Sequence, residues 1–382
     1  MSRLSLFAKG IRVIDLSAFL PGPLASLLLA DMGAEVLKVE PPSGDMMAQI
    51  GPRDAKGQPV FYGAVNAGKT VRQMDLKQPE ARDEFLTLVA SADVLIEGFR
   101  PGVMRRLGLD YPVLREVNPR LIYCSLNGYG AEGPMSQAAG HDANYLALSG
   151  ILHRNGSVEP SFYDPPLADS AGSLFSVIAI LGALRARDAD GCGSRIDIGL
   201  ADAAMPLQLF PIAEHGATGV VPQRGGGFLN GAAAFYQVYA LGDGRHVMLG
   251  AVEPKFWFAF CQAAGHPEWI SRQHDPMPQH ALIADVAGVL GTLTLNECLA
   301  RFGEADCCLS PVLDLGEALA SPHHTARGVV RKGPAGDCQA LFPAHVNGEA
   351  PRTRPLLRRH PGHSPKGARP EQQMNEERAC PT

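Results

Sequence analysis

Short apolar runs alternate with amphipathic segments along the start of the chain. Residues 11–16 have the pattern of a buried strand, residues 24–31 that of a short helix, and residues 35–39 that of a second strand. The proline-containing stretch 20–23 separates the first strand from the helix. A strand, a helix and a strand in succession predict parallel pairing through a right-handed crossover.

The same alternation continues to about residue 212. Further strands are predicted at residues 93–96, 121–125 and 195–198, and helices at residues 79–90, 168–187 and 200–212. We therefore expect an α/β fold whose large domain, residues 1–215, is Rossmann-like and doubly wound. The domain lacks a Gly-x-Gly-x-x-Gly turn, so we expect neither a nicotinamide nor a flavin cofactor.

The pattern changes after the glycine run at residues 225–227. Residues 235–240 and 246–249 alternate around a Gly-Asp-Gly turn, which predicts a β-hairpin, and helices are predicted at residues 254–264, 279–290 and 295–302. We expect a smaller α+β domain over residues 225–325 and a return segment to the large domain over residues 326–350. Residues 351–382 are rich in proline and arginine without periodicity, and we expect them to be disordered.

Composition excludes some classes of partner. A formal net charge of −5 gives no general attraction to nucleic acid or to an anionic membrane, so a polyanionic ligand needs a local basic patch. The apolar run 177–184 stops at Arg185 and is too short for a membrane span. The eight cysteines lack the spacing of a metal site, so we predict no metal. We expect a cytoplasmic protein without nucleic-acid or membrane partners.

Four acidic or imidazole side chains are candidates for proton chemistry. His141 and Asp142 are adjacent, Asp169 opens a long apolar helix, and Glu253 lies between a strand and a helix. Histidine titrates near neutral pH, and a nearby carboxylate can fix its tautomer and charge. Each acid also has a structural interpretation: Asp142 and Asp169 as helix caps, and Glu253 as the residue before a proline at the first helical position. Spacing alone does not show that they converge.

Several ordered motifs resemble those of one enzyme family. The string Gly-His-Asp-Ala-Asn-Tyr-Leu-Ala-Leu-Ser-Gly at residues 140–150 is similar to the active-site segment of α-methylacyl-CoA racemases, within the family III CoA-transferase (CaiB/BaiF) superfamily. Val-Leu-Ile-Glu-Gly-Phe-Arg-Pro-Gly-Val-Met at residues 94–104 and Cys-Leu-Ser-Pro-Val-Leu at residues 308–313 extend the resemblance. It covers about residues 10–330 and implies the family III fold and an interlocked homodimer.

The resemblance implies roles for the four candidates. His141 and Asp169 would be two bases on opposite faces of the α-carbon of an acyl-CoA, Glu253 would pair with His141, and Asp142 would lie in the same cluster. Such an enzyme inverts C2 of a 2-methyl-branched thioester through a planar enolate. Apart from the resemblance, we expect backbone N–H groups at the start of the helix after Asp169 to stabilise the enolate oxygen, because a helix N-terminus favours an oxyanion. Glu253 could complete the site of the partner subunit.

Two other functions remain open. In a CoA transferase of the same superfamily, Asp169 would be a covalent nucleophile. A non-catalytic acyl-CoA-binding protein is the third possibility. The second base, His141 with Glu253, favours the racemase.

The resemblance also implies a set of residues that bind CoA. CoA is part of the substrate, so no separate cofactor is expected. Lys38, Arg100 and Arg106 would meet its phosphates, although Arg106 has an alternative interpretation as part of a solvated helix face. The remaining members would be Met74, Asp75, Leu76 and Lys77 at the adenosine end, with Gly98, Phe99, Gly140 and Tyr145. Residues 66–71 read Asn-Ala-Gly-Lys-Thr-Val and lack two cations of the family's usual Asn-Arg-Gly-Lys-Arg-Ser.

Overall fold

The computed structural model describes residues 2–156 and 159–360 of the 382-residue chain. Its strands are β1 Arg12–Asp15, β2 Glu35–Glu40, β3 Thr70–Gln73, β4 Val94–Glu97, β5 Ile122–Asn127, β6 Ser194–Gly199, β7 Tyr236–Ala240, β8 His246–Gly250, β9 Leu309–Pro311, β10 Val330–Lys332, β11 Cys338–Ala340 and β12 Arg358–Arg359. Its helices are α1 Pro21–Asp31, α2 Val60–Asn66, α3 Pro79–Val89, α4 Val103–Leu107, α5 Tyr111–Val117, α6 Asp142–Leu148, α7 Ile151–Arg154, α8 Leu167–Asp190, α9 Leu200–Ala203, α10 Leu209–Thr218, α11 Pro254–Ala264, α12 His280–Leu290, α13 Leu295–Phe302, α14 Leu315–Ala320 and α15 Pro322–Arg327.

A seven-stranded sheet forms the centre of the large domain. Its order is β12-β3-β2-β1-β4-β5-β6, and every neighbouring pair is parallel. Six of these strands follow the 3-2-1-4-5-6 order of a doubly wound fold, which confirms the predicted architecture. The order reverses between β1 and β4, and ligands of such sheets bind in the crevice beyond the carboxyl ends of the strands at that point.

Helices cover both faces of the central strands. On one face, Val13 and Ile96 pack with Leu29 of α1 and Ile180 of α8. On the other face, residues such as Leu95 pack with α3, α4 and α5. Both faces of β4 are therefore buried, which explains why Val94, Leu95 and Ile96 are apolar in succession rather than alternating with polar residues.

Two predictions about the large domain need correction. Strand β3, Thr70–Gln73, was not expected, because a four-residue run that contains Arg72 and Gln73 carries little apolar signal. The helix expected over residues 200–212 is divided into α9, a 3₁₀ turn at Pro206–Gln208, and α10. Pro206 lacks an N–H group and starts a new turn instead of continuing α9.

The smaller unit has an antiparallel sheet and its own core. Strands β7 and β8 form the predicted hairpin, and the three-residue strand β9 adds to it. Trp257, Phe260 and Phe302 stack in the core between this sheet and the helices α11 to α13.

The segment after residue 326 returns to the large domain. Strands β10 and β11 form an antiparallel ribbon, and β12 adds a parallel strand beside β3. Arg354 is buried and donates from Nε and Nη2 to the two carboxylate oxygens of Asp31, both at 2.7 Å. The expected disorder of residues 351–382 therefore does not extend to residues 351–360; residues 361–382 lie outside the described part of the chain.

Helix α8 confirms the helix predicted over residues 168–187 and is longer than the apolar run 177–184 within it. It continues past Arg185 to Asp190, and by length and composition it is the one described helix that could cross a membrane by itself. The bent pair α12 and α13 passes the same test only when the two are counted as one span. One side of α8 packs against α1 and the sheet, as the core helix of a doubly wound domain does.

Candidate active site

A cleft of about 270 Å³ opens where the order of the central strands reverses. The loop after β1 contributes Ser17 and Phe19, the loop after β4 contributes Arg100, and His141 and Asp169 enter from the segments that begin α6 and α8. The two predicted bases, which are 28 positions apart in sequence, therefore line one cavity.

His141 is held at the start of α6. It has an extended backbone conformation as the N-cap residue, and its N–H donates to Asn144 Oδ1 at 3.0 Å. Its side chain is exposed to the cleft and solvent. The turn before it is tight, because a Cβ on Gly140 would lie 2.7 Å from Tyr129 Oη. Glycine at position 140 thus lets the backbone before His141 pass close to Tyr129 and Tyr145.

Tyr145 closes the same turn. Its hydroxyl donates to the Gly140 carbonyl at 2.6 Å, and its ring packs edge-on against Tyr129 with 5.1 Å between centroids. Burial and the charge of Asp169 raise the pKa of Tyr145 to about 12. The hydroxyl therefore stays protonated at neutral pH and keeps its bond to Gly140.

Asp169 is the third residue of α8, whose N-cap is Pro166. The interpretation of Asp169 as a helix cap is therefore wrong. Burial raises the pKa of its carboxyl to about 7, and the nearby charge of Asp142 adds to the rise. A carboxyl group that titrates near neutral pH in a cleft can accept a proton and return it.

Asp142 caps a different helix from the one expected. It is the first residue of α6, but its Oδ1 accepts the N–H of Asp169 in α8 at 3.0 Å. Asp142 is not among the residues that line the cleft. Its contact with Asp169 joins the two segments that carry the candidate bases.

The amides after Asp169 do not form the predicted oxyanion site. Ser170 N–H donates to the Pro166 carbonyl at 3.2 Å, and later amides lie within the helix. The Asp169 N–H itself is bound by Asp142. This correction follows from the start of α8 two residues before Asp169, which places Asp169 inside the first turn rather than before it.

The residues expected to bind CoA divide into two groups. Gly98, Arg100, Gly140 and Tyr145 line the cleft. Phe99 instead packs partly buried against the large-domain core, and Arg106 is exposed on α4. Arg100 also lines a second cleft of about 320 Å³ that shares its wall with the first. The exposed Arg106 remains available for a ligand that extends outside the cleft.

Lys38 and the segment after β3 are placed differently from the prediction. Lys38 is fully buried, pairs with Asp45 at 2.9 Å and donates to the Ser17 carbonyl at 2.7 Å. Met74 is buried in the core. Asp75, Leu76 and Lys77 form the turn that follows, in which Asp75 Oδ1 accepts the Lys77 N–H at 3.2 Å. None of these five residues lines the cleft.

Glu253 is not brought to His141 within one chain. It is the exposed N-cap residue of α11 in the smaller unit, and its carbonyl accepts the Phe256 N–H at 3.0 Å. It is not among the residues that line the cleft.

Sequence reasoning missed several residues of the cleft. Ser17, Phe19, Gly22 and Asn127 contribute to its wall. Ser17 and Asn127 lie at the carboxyl ends of β1 and β5, so the rule for ligand sites in parallel sheets was a usable signal. Within residues 2–156 and 159–360, no group of three or more His, Cys, Asp or Glu residues could hold a metal ion.

Comparisons with known proteins identify the family. The family model of CoA-transferase family III matches residues 8–371, and the chain belongs to this family. The chain is 34% identical over 330 residues to the human alpha-methylacyl-CoA racemase, covering 84% of this chain and 81% of the relative. It is also 34% identical over 338 residues to the acetyl-CoA:oxalate CoA-transferase of Acetobacter aceti, covering 85% of each.

A solved structure is similar across nearly the whole chain. It is the crystal structure of a CaiB/BaiF family protein from Brucella suis, with a TM-score of 0.80 and 28% identity over 92% of this chain and 96% of that one. The family thus includes relatives named as racemases and relatives named as transferases at the same identity.

Proposed function

We propose that the chain is an α-methylacyl-CoA racemase that inverts C2 of 2-methyl-branched acyl-CoA thioesters. The observation that carries the proposal is that His141 and Asp169 line one cleft and that the pKa of Asp169 is raised to about 7. A 1,1-proton transfer needs two groups that exchange protons near neutral pH. A transferase that uses an aspartate as nucleophile needs only one of them.

The reaction has two proton transfers. One base removes the proton from C2, the electron pair moves into the thioester to form an enolate, and the other group returns a proton to the opposite face. General acid–base catalysis supplies roughly 10²–10⁴-fold. The enolate oxygen also has to be stabilised, because a thioester α-carbon is a weak acid. The reaction uses no cofactor beyond the CoA of the substrate.

The second candidate is a family III CoA transferase. It is favoured by the presence of Asp169 in the cleft and by the identity to the Acetobacter aceti enzyme. In that reaction the Asp169 carboxylate attacks the carbonyl carbon of the thioester, and the C–S bond breaks. CoA leaves as the thiolate, and the acyl group stays on Asp169 as an acyl-aspartyl anhydride. The CoA thiolate then attacks the aspartyl carbonyl, releases the original acyl group as a carboxylate and leaves CoA on Asp169 as a thioester. The acceptor carboxylate attacks this thioester to form a second anhydride and frees the CoA thiolate, which attacks the acceptor's acyl carbonyl and regenerates the Asp169 carboxylate.

We also propose that the enzyme acts as an interlocked homodimer. Large apolar side chains on α10 and on the outer side of α8 are exposed in a single chain, among them Phe210 at 74% and Ile178 at 64%. Exposed apolar surface of this extent is typical of an interface. A second copy would also bring a Glu253 toward each cleft. In mixed dimers of Glu253→Ala and Asp169→Ala chains, a shared site predicts partial recovery of activity, whereas independent sites predict none.

Deuterium exchange at C2 tests the proposed reaction. The (R)- and (S)-2-methylacyl-CoA thioesters are incubated in D₂O with wild type, His141→Ala and Asp169→Ala. His153→Ala and Asp188→Ala serve as matched controls, because both side chains are exposed and neither lines the cleft.

We expect wild type to exchange the C2 proton for deuterium with inversion of configuration. The two active-site variants should lose this activity, each to a different extent for the two enantiomers. Absence of exchange, together with Asp169-dependent transfer of CoA to an added carboxylate, would establish the transferase instead.

A further inference from the structure

Two lysines near the cleft are buried rather than exposed to a ligand. The side chains of Lys38 and Lys69 both have 0% exposure. Lys69 Nζ contacts Asp15 Oδ2 at 3.2 Å and donates to Asn66 Oδ1 at 3.0 Å. Lys38 Nζ contacts Asp45 Oδ2 at 2.9 Å. Lys69 Nζ, which also donates to the Pro23 carbonyl, thus has three acceptors within the protein, and Lys38 Nζ, which also donates to the Ser17 carbonyl, has two.

Asp15 connects the two lysines. It is fully buried at the end of β1, and it accepts hydrogen bonds from the hydroxyls of Ser17 and Ser26. Burial alone would raise the pKa of Asp15, but the charges of Lys69 and Lys38 hold it at about 2. Asp15, Lys38, Asp45 and Lys69 therefore form a cluster of four buried charges, which we call the buried charge cluster.

The buried charge cluster forms hydrogen bonds with the backbone of one cleft wall. Asp15 Oδ1 accepts the Ser17 N–H at 2.9 Å, and Lys38 Nζ donates to the Ser17 carbonyl at 2.7 Å. Asp45 Oδ1 accepts the Phe19 N–H at 3.4 Å. Lys69 Nζ donates to the Pro23 carbonyl at 2.9 Å. Each member of the cluster thus holds a backbone atom within residues 17–23.

The same wall carries backbone strain. Phe19 has a φ of +63°, in the left-handed region that non-glycine residues rarely adopt. Such conformations persist only where the surroundings over-determine them. Ser17, Phe19 and Gly22 all line the cleft beside His141 and Asp169, so the position of this wall sets the shape of the site.

We propose that Lys38 is a positioning residue that holds the Ser17–Gly22 wall of the cleft in place, and that it is not a ligand of the CoA phosphates. Asp45 acts with it as the partner that fixes its ammonium group. The role in catalysis rests on the proposed function, because it takes the thioester to lie in this cleft.

The two roles of Lys38 differ in what they require of the substrate. A phosphate ligand matters only for substrates that carry the ADP part of CoA. A positioning residue matters equally for a pantetheine thioester, which reaches the cleft without those phosphates. The variants to compare are Lys38→Gln and Asp45→Asn, with Arg106→Gln as the exposed cation expected to meet phosphate.

The assay compares kcat/KM for 2-methylacyl-CoA with that for the 2-methylacyl-pantetheine thioester. Misplacing a cleft wall by about 1 Å can lower kcat/KM by about 100-fold. We expect Lys38→Gln and Asp45→Asn to lower it by similar factors for both thioesters. Arg106→Gln should affect the CoA thioester alone.

Asp45→Asn gives the sharpest contrast between the two roles. If Lys38 binds phosphate, loss of its internal partner frees it and leaves affinity for CoA unchanged or increased. If Lys38 positions the wall, the same variant weakens the binding of both CoA and pantetheine in calorimetry. It also keeps the protein assayable should Lys38→Gln fail to fold.

Amide hydrogen exchange tests the proposal without reference to activity. We expect peptides covering residues 16–24 to exchange faster in Lys38→Gln and Asp45→Asn, while peptides covering α8 stay unchanged. The positioning role would be overturned if Lys38→Gln and Asp45→Asn lowered kcat/KM for the CoA thioester alone and left amide exchange in residues 16–24 at the wild-type rate. If neither proton exchange nor CoA transfer is found with any thioester, the proposed function fails, and the amide exchange still decides the role of Lys38.

Discussion

The Oδ1 of Asp142 accepts the backbone N–H of Asp169 at 3.0 Å, and this single contact links the residue after His141 to the first turn of α8. It fixes the two segments that carry the candidate bases relative to one another. It also places a negative charge close to the Asp169 carboxyl, which is one cause of the raised pKa of that group. Both the position and the pKa of Asp169 therefore depend on the side chain of Asp142, which lies outside the cleft.

Asp142→Asn is expected to lower the pKa of Asp169 below about 7. The asparagine keeps an oxygen that can accept the Asp169 N–H, but it removes the like charge. Burial, the larger cause, remains, so the pKa stays above the usual 3.8 of an aspartate. The acid limb of the kcat/KM profile should therefore move to lower pH if Asp169 has to be ionised.

The pH dependence of kcat/KM for the variant checks this expectation. Asp188→Asn, an exposed position on the same helix, is the control and should leave the acid limb in place. An acid limb that is identical in wild type and Asp142→Asn would show that another group controls it.

Asp169→Asn is expected to raise the melting temperature at pH 8 and to leave it almost unchanged at pH 3. The folded-state pKa of about 7 lies above the usual 3.8 of an aspartate, so the folded protein binds the proton more tightly than the unfolded chain. The stability from this group is fully present below pH 3.8 and is lost as the pH rises through 7. Asparagine at position 169 does not ionise, so the variant does not lose this stability at pH 8.

Thermal melts of wild type and variant across this range measure the difference. Each kcal/mol should appear as a shift of roughly 2–4 °C for a domain of 150–250 residues. Equal melting temperatures at pH 8 would mean that ionised Asp169 is not destabilising in the folded protein.

Arg354→Met is expected to destabilise the large domain by about 3–5 kcal/mol, the usual cost of removing one partner of a buried ion pair. Arg354 holds Asp31 at the end of α1 through two hydrogen bonds, both at 2.7 Å. Urea unfolding measures the loss. Arg352→Met is the matched control, since Arg352 is exposed two residues earlier and should change stability by less than about 0.5 kcal/mol. A similar effect of both variants would contradict the structural role of the pair.

Strands with strong apolar character were predictable from sequence, whereas short or polar ones were not. The prediction of β1, β4 and β5 succeeded because both faces of each are covered and consecutive apolar residues fill the middle of each strand. Strand β12 has only two residues, both arginines, and it forms because the adjacent β3 has a free edge on that side. Pairing of that kind depends on tertiary structure and leaves no periodic pattern.

The candidate site shows the same division. His141 and Asp169 could be identified from a motif resemblance, and the structure brings them to one cleft. The burial of Lys38 could not be predicted, because the partners that make it possible, Asp15 and Asp45, approach it only through the fold. The capping of α8 by Asp142 is likewise a contact between segments 27 residues apart.

Gly140→Ala is expected to lower kcat/KM by about tenfold or more and to destabilise the protein by roughly 1–3 kcal/mol. The new Cβ would lie 2.7 Å from Tyr129 Oη and 2.8 Å from Tyr145 Cε1, so the turn has to move and takes His141 with it. Gly288→Ala on α12 is the control, since nothing lies within 4 Å of its Cβ and alanine favours the helix there. Paired measurements of kcat/KM and urea unfolding separate the two effects. Full activity in Gly140→Ala would mean that the position of His141 does not depend on the close approach of Gly140 to the two tyrosines.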